Sequence, residues 1–136
     1  MSLSNIRSAL VQGVQAALPT TTVAWENKAF TKPATVWASF FLIPSTTEPS
    51  TLGAAGLDEH LGIAQVDLNV PLNTGEQAVL ALAELVARYF YAGRRLTYDS
   101  TEVHVYGVGR NAGRLVDGWF RVSMTITWRA WLARNR

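Results

Sequence analysis

The sequence predicts an α+β fold: a largely antiparallel sheet with two principal helices packed on it, in one domain spanning residues 1–136. Three observations carry this. Two segments repeat apolar residues every three or four positions, the period of a helix face. Several others alternate apolar and polar residues, the period of a strand. Their order is helix, strands, helix and a final hairpin.

Residues 3–18 form the first predicted helix. Leu3, Ile6, Leu10, Val14 and Ala17 make one apolar stripe opposite Arg7, Gln12 and Gln15. Ser2 or Ser4 is placed to cap its start and Pro19 to end it. Residues 20–23 are rich in β formers and lead to Trp25, and residues 27–33 read as a turn region anchored by Phe30. Residues 35–43 read as a strand ended by Pro44. Both of its faces are apolar, with Trp37 and Phe41 opposite Ala38 and Phe40, so cover on both sides is expected.

Residues 44–58 hold two prolines, two glycines and mostly small residues, and are expected to be a mobile loop. Residues 60–70 are a strand with one wet face, stopped by Pro71. The second helix starts on a Thr74/Gln77 or Asn73/Glu76 capping pair, runs to about Tyr91 and stops at Gly93. Val79, Leu82, Ala83, Val86 and Phe90 make its core face. Gln77, Ala81, Glu84 and Arg88 are its only outer strip, so burial over most of its girth is expected. Residues 94–98 read as a short strand or turn. Residues 101–108 and 119–131 are the strands of a hairpin whose exposed tip is 109–118.

Composition bounds the rest. Of 136 residues, 49% are hydrophobic, enough for a core, and the net charge is only +2, so the chain does not fit the disordered class. No apolar run approaches the roughly 18 residues of a membrane helix. No secretory signal is read at the N-terminus. With no cysteines, disulfides, thiolate metal sites and a cysteine nucleophile are excluded. Charge is uneven: residues 1–87 carry three bases against seven acids, a net −4, and residues 88–136 carry nine arginines against three acids, a net +6. Arginine without lysine suits an interface, although genome composition explains the same bias.

No constellation carries chemistry. His60 and His104 lie on different strands without metal-ligand spacing. Asp58, Glu59 and His60 are neighbours on a strand and alternate faces, which suits a solvated strand start. The stretch from Gly107 to Gly113 resembles part of a phosphate loop but lacks its Gly-Lys-Ser/Thr ending and its following helix, and reads as a turn. No serine sits in a nucleophile elbow. The sequence therefore offers no catalytic, cofactor-binding or metal-binding residue, and no enzyme is expected.

The chain has five tryptophans. Trp37 and Trp131 fall on faces a small sheet leaves uncovered, and Arg121 and Arg129 share a strand face with Trp119 and Trp131. Tryptophan beside arginine is an interface signature, against the alternative of a solvated sheet face with snorkelling arginines. The interface candidates are Trp37, Phe41, Arg94, Arg95, Arg110, Arg114, Arg121, Arg129 and Trp131.

The order of motifs resembles the bacteriophage tail-terminator-like family. It rests on Val23-Ala24-Trp25-Glu26-Asn27 with Phe30, on Leu42-Ile43-Pro44, and on the run from Gly62 to Pro71. The helix from Gly75 to Phe90 and the strand from Trp119 to Ala130 complete it. The resemblance implies a virion structural protein of the tail, assembled in the host cytoplasm. Its copies would form a ring, typically a hexamer, that caps the tail tube and ends its polymerisation. Implied partners are the tail tube protein and a head-completion protein, with DNA passing through the ring without specific binding. No cofactor and no membrane are implied. Residues 44–58 are then the candidate tube- or head-facing element, ordered on assembly. Competing readings are a head-closure or connector subunit, another minor tail protein, and a nucleic-acid-binding module built on the arginine-rich half.

Overall fold

A computed structural model of the protein describes residues 3–73 and 75–134, with the side chain of Ser45 left undescribed. The chain runs α1 (Leu3–Ala17), β1 (Thr22–Ala24), β2 (Trp37–Pro49), β3 (Leu57–Pro71), α2 (Gln77–Tyr89), β4 (Arg95–Tyr98), β5 (Thr101–Arg110), β6 (Arg114–Val116) and β7 (Trp119–Ala133). The fold is α+β with one seven-stranded sheet ordered β1-β2-β3-β7-β5-β4, in which β6 also pairs with β7. Every pairing is antiparallel except β1 with β2.

The centre of the sheet is the β3–β7 ladder, which pairs Leu57 with Ala133 at one end and Pro71 with Trp119 at the other. Alternation sends Ala64, Val66, Leu68 and Val70 of β3 to the same face as Val122, Met124, Ile126 and Trp128 of β7. Phe40 of β2 and Val103 and Val105 of β5 join them. The buried stripe of α1 (Ile6, Ala9, Leu10, Val14) and that of α2 (Val79, Ala83, Val86) belong to the same apolar cluster. Contacts of α1 are with β4 and β5, and those of α2 with β3, β7 and β5. Where the helices meet, a Cβ at Gly13 would stand 2.9 Å from the Phe90 ring, so any other residue there requires the ring to shift.

Several expected boundaries move. Pro44 does not end β2, which continues to Pro49 through a bulge between Pro44 and Thr46. The reason is that β1 covers β2 only from Trp37 to Ser39. Beyond Ser39 the strand is a sheet edge, where a missing amide costs no ladder bond. Residues 44–58, expected as a loop, are mostly the far end of a long β2–β3 hairpin, and only residues 50–56 leave the strands. The hairpin tip expected over 109–118 is also largely strand: β5 runs to Arg110, and β6 continues it along β7 after a break at residues 111–113.

Helix starts differ too. Ser4 lies inside α1, and Ser2 lies outside the described residues, as does Thr74. The N-cap of α2 is Glu76, which makes no side-chain cap bond, while Asn73 adopts a left-handed φ of 65° in the preceding turn. Burial of α2 is narrower than expected: Leu85 and Ala78 are exposed as well as the outer strip of Gln77, Ala81, Glu84 and Arg88.

Candidate functional site

The sheet has two unlike faces. One carries the core. The other, the open face, carries the alternate residues of β2, β3, β7 and β5, and most of the expected interface residues lie there.

Its middle is a polar network. Asp67 is only 4% exposed. Ser123 Oγ donates to Asp67 Oδ1 at 2.6 Å, and Gln65 Nε2 donates to the same oxygen at 2.9 Å. Arg121 Nε donates to Asn69 Oδ1 at 2.7 Å, with Nη1 3.9 Å from Asp67 Oδ2. A carboxylate this buried needs such donors, because an unpartnered charge there would cost several kcal/mol. The network also fixes the β5–β6 break. Asn111 Oδ1 accepts from the Ser123 amide at 2.9 Å, and Asn111 N donates to the Ser123 carbonyl at 3.1 Å, so one residue stands in for a ladder rung. Arg114 Nη2 then donates to Ser123 Oγ at 3.0 Å.

Toward the hairpin end the face becomes aromatic and ion-paired. Arg129 lies 4.4 Å over the Tyr106 ring and 3.4 Å from Glu59. Trp131 meets His104 edge-on at 5.0 Å, and His104 Nε2 is 2.8 Å from Glu102, which also pairs with Arg95 at 3.8 Å. Toward the β2 edge the surface is apolar, with Phe41 and Ile43 38% and 44% exposed.

The sequence-derived candidates are therefore spread over several surfaces. Phe41, Arg114, Arg121, Arg129 and Trp131 share the open face. Arg110 lies on the other side, lining a cleft of about 310 Å³ between α2 and β5 with Leu80, Ala83, Val108 and Met124. Arg94 stacks 3.9 Å over Tyr89. Trp37 is a correction: expected on an uncovered face, it is 5% exposed. Trp119 meets it edge-on at 5.8 Å, Phe30 at 5.3 Å, and the Lys32 ammonium stands 5.6 Å over its ring. The irregular segment before β2 thus covers what a small sheet could not.

Sequence reasoning missed Arg134. Its amide donates to the Gly56 carbonyl at 2.8 Å and its Nε to Asp58 Oδ1 at 2.9 Å. The remaining nitrogens donate to the carbonyls of Thr51 (2.7 Å), Leu57 (3.1 Å) and Gly53. One guanidinium therefore organises the whole β2–β3 turn. Glu26 was also unforeseen: its Oε1 accepts from the Leu42 amide at 2.6 Å, occupying an edge donor of β2 just past the end of β1. Asp58 and Glu59, expected as a solvated strand start, are half-buried and paired with Arg134 and Arg129. Buried His60 sits 3.0 Å from Thr47 Oγ1.

Among the described residues, no three His, Asp or Glu side chains gather to hold a metal ion, and no helix is long and apolar enough to cross a membrane. The α2–β5 cleft is lined by a single acid and a single base, Glu84 and Arg110. What the surface offers is shape, edges and paired charge, the means of contact between macromolecules.

The family described as phage tail terminator protein matches residues 5–128, which takes in every helix and strand but the first two residues of α1 and the end of β7. No curated protein matches the chain. One solved chain is similar over 96% of each chain, with a TM-score of 0.77 at 21% identity, a likeness that shows the fold alone. The matching family is one of structural proteins of the virion tail, and this chain belongs to the phage tail terminator family.

Proposed function

We propose that copies of this protein form a ring, six by the family resemblance, that closes the head-proximal end of a phage tail tube. The ring ends tube polymerisation and offers its other side to a head-completion protein. The family match over residues 5–128 carries this reading. The mechanism is contact and geometry, without bond chemistry.

The open face is the surface assigned to tube or head partners. Exposed Phe41, Ile43 and Tyr106 supply apolar contact around the polar network, and half-buried Trp131 supplies more near the hairpin end. The pairing of Arg121, Arg129 and Arg134 with Asp67, Glu59 and Asp58 supports a protein-contacting role for this face. Neutralised arginines hold phosphate weakly, which suits a ring that DNA passes through without specific binding. Arg95 and Arg94, at the β4 corner, are assigned to contacts with the acidic first part of a neighbouring copy.

The test is solution mass by light scattering, with and without purified tail-tube protein, together with tail length in assembly reactions lacking this chain. A discrete ring, alone or on tube ends, and overlong tails without it are expected. A persistent monomer that ignores the tube would overturn the reading in favour of a connector subunit. DNA retention that weakens steeply with salt would point instead to a nucleic-acid-binding module.

A further inference from the structure

The two ends of the β3–β7 ladder are unlike, and they match. At one end the β2–β3 turn projects Leu52, which is 94% exposed, the most exposed large apolar side chain among the described residues. The turn beneath it is held in shape. Arg134 binds the carbonyls of Thr51, Gly53 and Leu57, and the Leu57 amide donates to Thr51 Oγ1 at 2.7 Å. A Cβ at Gly56 would collide with Thr51 at 2.6 Å and with Arg134 at 2.9 Å, so the turn is closely packed around the guanidinium. A leucine carried on so ordered a turn loses little freedom when it is buried by a partner.

At the other end, beyond Pro71 and Trp119, lies a hollow of about 310 Å³ whose apolar walls are Pro71, Leu72, Leu115 and Phe120, with Asn73, Gly75 and Glu76 at its polar side. Leu115 is 71% exposed and Leu72 40%. Fifteen paired positions separate the two ends, about 45 Å at strand spacing, so the knob cannot reach its own hollow.

We propose that Leu52 of one copy seats in the Leu72–Leu115–Phe120 hollow of a second copy. The two surfaces differ, so the contact is heterologous and joins copies head to tail, the arrangement that closes into a ring when the rotation permits. This rests on the ring reading above and assigns its contact. It also reassigns the hairpin tip, expected from the sequence to face the tube or the head, to a neighbouring copy.

The experiment compares wild type, Leu52→Asp and Leu115→Arg by light scattering, each with and without tail-tube protein. Both substituted positions are exposed, and circular dichroism verifies that each variant is folded. Each variant is expected to weaken self-association by at least about tenfold, the scale of one buried leucine. Mixed in equal amounts, the two variants retain one intact knob and one intact hollow between them. The mixture should therefore stop at a dimer of about twice 14.9 kDa. Normal rings from Leu52→Asp would overturn this contact and leave the ring reading standing, whether or not tube binding is lost. Failure of the mixture to pair would overturn it too. A wild type that never self-associates, even on tube ends, would remove the ring reading and this contact together.

Discussion

At the scale of single residues, arginine decides local order here. Arg134 gathers four backbone or carboxylate acceptors from residues 51–58. Its replacement by alanine is expected to cost about 1–3 kcal/mol in urea unfolding and to open residues 51–56 to proteolytic nicking. Unchanged cleavage there would mean that the turn holds itself. Ser123→Ala removes the 2.6 Å donor to buried Asp67 and is expected to destabilise by about 1–3 kcal/mol. Restoring the hydroxyl as Ser123→Thr should recover most of that loss. None of these partnerships could be read from sequence: Arg134 and Asp58 lie 76 positions apart, and Ser123 and Asp67 lie 56 apart. Alternation did put Arg121 and Arg129 on one strand face. The acids that neutralise them are on β3, and only the β3–β7 register sets them opposite.

At the scale of elements, local pattern was a good guide to what each segment becomes and a poor one to where it stops. Ile6, Leu10, Val14 and Ala17 are buried as their spacing predicts, while Leu3, at the head of the same stripe, is 47% exposed; the core face of β7 is buried from Val122 onward, with Phe120 half-buried. Pro44 misled because proline ends a strand only where both edges are paired, and whether β2 had a second neighbour at that point depended on the length of β1. The break at residues 111–113 misled in the opposite sense. Glycine and asparagine signal a turn, yet here Asn111 bridges the gap and β6 resumes the same ladder. Packing between elements gives a test at Gly13. A leucine there would drive into Phe90, and Gly13→Leu is expected to destabilise by about 1–3 kcal/mol or more. Gly13→Ala, on a helix that otherwise favours alanine, should cost less, because the Phe90 ring must yield only slightly.

At the scale of the molecule, assembly and stability should separate. Leu52 and Leu115 contribute little to the folded monomer because both are largely exposed. Leu52→Asp is accordingly expected to change unfolding free energy by less than about 0.5 kcal/mol, even where it abolishes association. A large loss of stability would place Leu52 in the fold and not in a contact. Arg95→Glu, at another exposed position, exchanges its ion pair with Glu102 for repulsion. If Arg95 meets a neighbour's acidic segment, the variant should weaken ring formation more at low salt than at high salt, because screening removes the repulsion. Equal effects at both would deny it that contact.

The sequence alone determined the class of fold, the identity of most helices and strands, the inward face of each, and a resemblance to phage tail terminators that the family match supports. These follow from periodicities of two and three to four residues, which are written locally. The tertiary structure alone decided that Trp37 is covered, that Pro44 lies within a strand, that Arg134 binds the far turn, and that a knob and a hollow stand at opposite ends of one ladder. Each of those depends on which strand lies beside which and in what register. Contacts across tens of residues set that register, and no local period encodes it.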